Sequence, residues 1–103
     1  MKARGAVLFD AGRPLELYDI DVAPPRAGEA LVKMAAAGVC HTDLHVMQGK
    51  FPAPLPAVLG HEGAGVVAEV GAGVASLKVG DHVIPLWRLS CGRCEYCKMG
   101  RPA

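Results

Sequence analysis

Glycine and proline constrain this chain more than any other feature. Thirteen glycines and eight prolines punctuate 103 residues. Proline removes a backbone donor and glycine costs conformational entropy, so neither suits the interior of a long helix. The apolar runs between them are correspondingly short. Ala3–Phe9 ends at Asp10-Ala11-Gly12. Leu15–Val22 alternates, with Leu15, Leu17, Ile20 and Val22 toward a core, and closes at Pro24-Pro25 and Gly28. Glu29–Val39 reads as a strand through Leu31, Val32 and Met34. Gly63–Val70 reads as another, and Val79–Ile84 follows the turn at Lys78-Val79-Gly80-Asp81. Short strands at roughly 8–12-residue spacing, each bounded by turn residues, predict a small β-barrel or sandwich. A short helix is expected over Thr42–Gln48, capped by Thr42 or Asp43 and stopped by Gly49. Lys50–Pro56 holds three prolines and is expected as an extended loop.

Length and composition narrow the function classes. A chain of this size suits one domain, and a dinucleotide-binding sheet built from βαβ units of roughly 30 residues each has no room beside anything else. Aromatic residues are only 5% of the chain, so a core must come from Val, Leu, Ala and Met. Eleven basic and ten acidic residues nearly balance. There is no basic stripe for nucleic acid, no polybasic membrane patch and no membrane-length apolar run. The N-terminal apolar stretch stops at Asp10, unlike a signal peptide. A soluble, cytoplasmic protein with no nucleic-acid or membrane partner is expected.

From Arg88 onward the hydrophobic pattern gives way to Cys91-Gly-Arg-Cys94-Glu-Tyr-Cys97. Two-residue gaps let successive sulfurs converge on one ion, and structural zinc takes four such ligands in a tetrahedron. Three are present. The iron–sulfur pattern C-x-x-C-x-x-C-x-x-x-C-P is the rival, but its fourth ligand falls on Arg101, although Pro102 follows. Clustered free thiols without metal are the bland alternative, disfavoured because exposed thiols oxidise.

A second constellation lies upstream. Gly38-Val-Cys40-His41-Thr42-Asp43-Leu-His45 brings a thiol, two imidazoles, a hydroxyl and a carboxylate together, and Gly60-His61-Glu62-Gly63 adds another imidazole and carboxylate. A catalytic zinc takes three protein ligands and keeps a position open. Each residue also has an ordinary reading. A lone buried Cys is a small hydrophobe, Thr42 an N-cap, Asp43 a first-turn carboxylate favoured by the helix dipole, and His45 a solvent-facing helix residue. His82, beside Asp81 in a turn, is given no chemical role. Gly71-Ala72-Gly73 is a turn, since no helix pattern follows it.

Here the sequence resembles the zinc-dependent alcohol dehydrogenase branch of the medium-chain dehydrogenases. Gly60-His61-Glu62-Gly63-Ala64-Gly65, with Gly71 and Val74, matches the signature G-H-E-x-x-G-x5-G-x-x-V. Gly38-Val-Cys40-His-Thr42-Asp43 resembles the family's first zinc-ligand motif, and Cys91, Cys94 and Cys97 resemble three of its four structural-zinc cysteines. The resemblance runs from about Ala6 to Pro102. It implies a mainly β fold with short helices, a GroES-like partial β-barrel over 1–87 with a Cys-rich metal lobe over 88–103 in the same domain.

The resemblance also implies roles. Cys40 and His61 would bind a catalytic zinc, with Glu62 just behind it as a transient ligand. Asp43 would fix the ligating tautomer of His61. Thr42 would receive the proton of an alcohol and His45 would pass it to solvent. His41 would face the pyrophosphate of NAD or NADP. Zinc lowers the pKa of an alcohol hydroxyl, and the hydride would go to the nicotinamide, giving an aldehyde or ketone. A homo-oligomer is compatible with this family.

The chain departs from the family pattern in lacking a third catalytic-zinc ligand further on, a fourth structural cysteine and a Rossmann domain. It is therefore expected to be a fragment, inactive alone and weak in zinc retention. A non-catalytic zinc-binding or interaction module is the alternative, and a ferredoxin-like protein the third reading.

Overall fold

The computed structural model describes residues 1–101; Pro102 and Ala103, the end of the expected metal lobe, lie outside the described residues. The elements in chain order are β1 (Lys2–Leu8), β2 (Glu16–Asp21), β3 (Ala30–Ala37), α1 (His41–Met47), β4 (Ala57–Val58), β5 (Gly63–Val70), β6 (His82–Val83) and α2 (Glu95–Lys98). They form two three-stranded sheets, ordered β2-β1-β4 and β3-β5-β6, with every pair antiparallel. This is a mainly β architecture with short helices, as the turn spacing predicts and the resemblance implies. No helix is long and apolar enough to cross a membrane among the described residues.

The long β3–β5 ladder positions everything that follows. It runs from Ala30↔Val70 to Ala37↔Gly63, with irregularities at Leu31/Val32 and Met34/Ala36. Such bulges sharpen strand twist and re-aim the chain beyond them. Gly65 permits the tight approach, because a Cβ there would strike the Lys33 carbonyl of the facing strand. The ladder ends where β3 runs out toward Cys40 and β5 begins just after His61-Glu62. Gly38 N–H donates to the Glu62 carbonyl oxygen at 3.0 Å, beyond the last strand pair.

The buried core is small: Leu8 and Val67 are fully enclosed, and Val7 and Val46 nearly so. The accessible surface is 8099 Å², whereas a compact monomer of this mass exposes roughly 5,500 Å². The radius of gyration is 15.8 Å, against about 13 Å for a compact domain of this length. Much of the excess is apolar, including Val39, Ile84, Leu86, Trp87 and Leu89.

Several sequence expectations need correction. Leu15 and Leu17 are exposed, and only Ile20 and Val22 of that alternation are half-buried. Side chains alternate along a strand, so Leu15, just before β2, and Leu17 fall on the face opposite Ile20 and Val22, and that face stays open to solvent. Cys40, rather than Thr42 or Asp43, is the N-cap of α1, and it makes no side-chain capping bond. The strand expected over Val79–Ile84 contracts to His82–Val83: its start belongs to the turn closed by the Asp81 N–H to the Lys78 carbonyl at 3.1 Å, and Pro85 follows with no N–H to continue the ladder. The short β4 and α2 were not expected; two and four residues are too few to show a period.

Candidate metal centre

The cysteine lobe is built locally. Gly92, at φ 70°, turns the chain sharply after Cys91. The turn aims the Arg93 and Cys94 N–H groups at Cys91 Sγ, at 3.3 and 3.2 Å. Cys94 caps α2, its Sγ accepting from the Cys97 N–H at 3.4 Å. The three sulfurs lie within 4.8 Å of one another. Cys91 Sγ and Cys97 Sγ are 4.0 Å apart, twice a disulfide bond. That separation is close to the ~3.8 Å edge of a zinc–thiolate tetrahedron with 2.3 Å bonds. The donated N–H groups of Arg93 first, then Cys94, hold the Cys91 thiol down to about 7. A stabilised thiolate is the form that binds metal.

The second cluster is assembled from distant segments. Cys40 arrives at the start of α1, and His61 and Glu62 at the entrance to β5. Their sulfur, imidazole nitrogen and carboxylate oxygen converge within 4.8 Å. Cys40 Sγ donates to Thr42 Oγ1 at 3.5 Å; once ionised, the sulfur can accept from that hydroxyl instead. The Thr42 hydroxyl and N–H, followed by His61, lower the Cys40 pKa. His61 Nδ1 stands 3.5 Å from Asp43 Oδ1. The His61 pKa is raised, first by its hydrogen bond with Cys40 and then by the nearby Cys40, Asp43 and Glu62 charges. Thiolate and imidazole thus sit among partners that favour their charged forms. One sulfur, one nitrogen and one carboxylate suit zinc and leave a coordination position for another ligand.

Thr42, His41 and His45 are exposed on α1, and the two imidazole rings stack edge-on at 5.8 Å. His82 is exposed on β6 and belongs to neither cluster. A cleft of about 500 Å³ opens beside His61 and Glu62, walled by Met34, Leu59, Leu86 and Trp87. The Trp87 ring lies edge-on to His61 at 6.3 Å, and the Arg88 guanidinium sits 5.0 Å over its face.

A family model described as the alcohol dehydrogenase GroES-like domain matches residues 26–103. The chain belongs to this family. Among its relatives, S-(hydroxymethyl)glutathione dehydrogenases from Escherichia coli and Shigella sonnei are 58% identical over 102 residues, covering 98% of this chain and 28% of theirs. The chain therefore spans about 28% of the length of these curated relatives. Benzyl alcohol dehydrogenase from Acinetobacter calcoaceticus superposes with a TM-score of 0.90 at 45% identity, covering 99% of this chain and 28% of that one. A zinc-binding alcohol dehydrogenase domain protein from Burkholderia ambifaria gives 0.89 at 47%, covering 96% and 26%. A dehydrogenase structure from Sinorhizobium meliloti bound to NADP gives 0.84 at 33%, covering 99% and 30%.

For this alcohol dehydrogenase GroES-like domain, the structure joins Cys40, His61 and Glu62 in one cluster and Cys91, Cys94 and Cys97 in another. Asp43 touches the first through His61. Met34, Leu59, Leu86 and Trp87 escaped sequence reasoning. They carry no ligand chemistry, and only the pairing of β6 with β5 brings Pro85–Trp87 alongside His61. The one signal available was the lone tryptophan in a chain poor in aromatics.

Proposed function

We propose that this chain forms the metal-holding part of a zinc- and nicotinamide-dependent dehydrogenase that oxidises alcohols to aldehydes or ketones. The observation that carries this reading is the convergence of Cys40, His61 and Glu62 at the mouth of an apolar cleft. Zinc bound there would act as a Lewis acid, lowering the pKa of an alcohol hydroxyl.

The chain's own groups do the rest. Cys40 and His61 would be the permanent ligands and Glu62, within 4.8 Å of both, a transient third donor. With Nδ1 facing Asp43, Nε2 of His61 is left for the metal. Thr42, in contact with Cys40, takes the proton of the alcohol, and His45, exposed one helical turn on, releases it to solvent. His41, exposed beside His45, offers positive charge to the pyrophosphate of NAD or NADP. Met34, Leu59, Leu86 and Trp87 offer the alcohol an apolar wall beside the cluster. Cys91, Cys94 and Cys97 hold a structural zinc.

The same proposal divides the chain into a body over 1–87 and a metal lobe over 88–103 of one domain. It places the protein in the cytoplasm, where clustered thiols stay reduced, with a small alcohol or aldehyde as partner and neither nucleic acid nor membrane. Exposed Ile84, Leu86 and Leu89 favour burial against further protein, including a second copy of this chain.

A second reading holds for the 103-residue polypeptide by itself, as a metal-binding module without turnover. Both of its sheets are antiparallel and its helices have seven and four residues, so no βαβ site for a dinucleotide exists among the described residues. The isolated chain should reduce no NAD or NADP with benzyl alcohol. A chimera with this chain in place of the corresponding part of the E. coli S-(hydroxymethyl)glutathione dehydrogenase should do so with benzyl alcohol or S-(hydroxymethyl)glutathione. A folded, zinc-loaded chimera without turnover on either would reject the dehydrogenase reading.

A further inference from the structure

Gly38 sits where the chain leaves β3 and heads for Cys40. Its N–H donates to the Glu62 carbonyl at 3.0 Å, tying two backbone segments together. On the side where any other residue carries its Cβ lies the Glu62 side chain. A Cβ built at Gly38 would collide with Glu62 Oε2, and it would crowd Glu62 Cβ at 3.2 Å and Cδ at 3.4 Å. Gly38 is not among the positive-φ glycines, so alanine can take its backbone conformation without strain. Glycine is needed here for volume, not for torsion. Gly63 and Gly65 differ: a Cβ at either would meet Met34 Cε or the Lys33 carbonyl, contacts of strand packing.

We propose that the absent side chain of Gly38 is the seat of the Glu62 carboxylate, which makes Gly38 the positioning residue for the third donor of the Cys40–His61–Glu62 cluster. This rests on the reading of that cluster as a metal site. The Glu62 main chain is held by the Gly38 hydrogen bond and by the start of β5, so its side chain is the part free to yield. Glu62 is exposed, and a displaced carboxylate swings into water without a burial penalty. The Gly38→Ala chain therefore keeps its fold and loses a donor.

Cadmium NMR of the 103-residue chain tests this, because each thiolate ligand moves the resonance downfield and the three-thiolate lobe separates from the one-thiolate cluster. Gly38→Ala should shift the one-thiolate resonance toward its position in Glu62→Ala and weaken cadmium binding there about tenfold, the scale set by supporting residues of metal sites. The lobe resonance and the far-ultraviolet circular dichroism should stay unchanged. In a Glu62→Ala background the same substitution should have no effect. A one-thiolate resonance present in the unsubstituted chain and unmoved by Gly38→Ala overturns the proposal alone. Its absence from the unsubstituted chain overturns the metal-site reading as well. Unfolding of Gly38→Ala also overturns it, since the carboxylate and not the backbone must give way.

Discussion

The two metal-type clusters are built on opposite principles. Cys91, Cys94 and Cys97 lie within one turn-rich segment, where Gly92 and two backbone N–H groups set the sulfur positions. Cys40, His61 and Glu62 come from two segments that meet only because β3 and β5 pair and Gly38 bonds to Glu62. The first cluster is a property of local sequence and the second a property of the fold. A local site can be moved or lost without consequence for the rest of the chain. A site made by topology fails with the sheet that carries it, and it can stand beside a cleft that no single segment could build.

The largest expected effect falls on the topological cluster. Replacing Cys40 with Ser in the chimera should cut alcohol oxidation by more than about 100-fold, exceeding the upper range for residues that merely support a ligand. Cys94→Ser should cost much less activity if the lobe is structural. Equal losses in steady-state assays would erase the functional distinction between the clusters.

A change in the core should separate their dependence on folding. Leu8 is fully buried, and Leu8→Ala should lower the unfolding free energy by about 2–5 kcal/mol. In urea titrations followed by circular dichroism and cadmium NMR, the one-thiolate resonance should disappear with the β signal. The three-thiolate resonance should persist to higher urea. Simultaneous loss of both would mean that the lobe depends on the sheets after all.

The clusters should also differ in their response to pH. Without metal, alkylation of Cys91 should reach half its maximal rate at about pH 7, against about 8.5 for an ordinary thiol. Because the folded pKa is depressed, stabilisation by the thiolate is complete above the ordinary thiol range and fades as pH falls through about 7. The raised His61 pKa has the opposite sign: the charged imidazole's contribution is complete below the ordinary histidine range and fades as pH rises through the folded value. Peptide mapping of the alkylated chain reads the first. The His61 ring resonances, moving to a higher midpoint than those of a free histidine, read the second. Asp43→Asn should remove part of that rise and weaken metal binding about tenfold by releasing the ring.

How far each cluster could be read from sequence follows from the same contrast. The lobe was legible in its spacing, because Cys91, Cys94 and Cys97 need only a turn to converge. Cys40, His61 and Glu62 were ambiguous as separate residues. Their joint role came from resemblance, and their proximity depends on a strand register that spacing does not reveal. The Gly63–Val70 strand was evident because Val66, Val67 and Val70 are β-branched and the Gly71-Ala72-Gly73 turn closes it. The exposure of Leu15 and Leu17 was not, because period reports a face but says nothing of what covers it. Trp87 was missed for a complementary reason: a strand before it was expected, but spacing does not reveal that this strand pairs with β5, which brings Trp87 to the cleft.

The smallest predicted effect probes the local cluster at its turn. Gly92 has φ 70°, and a Cβ there would meet nothing within 4 Å. Gly92→Ala therefore adds no clash and isolates the cost of placing an L-residue in left-handed backbone, about 1 kcal/mol. That cost should fall on the lobe, where the same turn aims two N–H groups at Cys91 Sγ, and weaken its cadmium affinity about fivefold. The Cys91 alkylation midpoint should rise as those hydrogen bonds loosen, while the Cys40–His61–Glu62 resonance stays in place. A shift in that distant resonance would show that the two clusters communicate through the chain between Val83 and Cys91, and that the lobe is less local than its spacing implies.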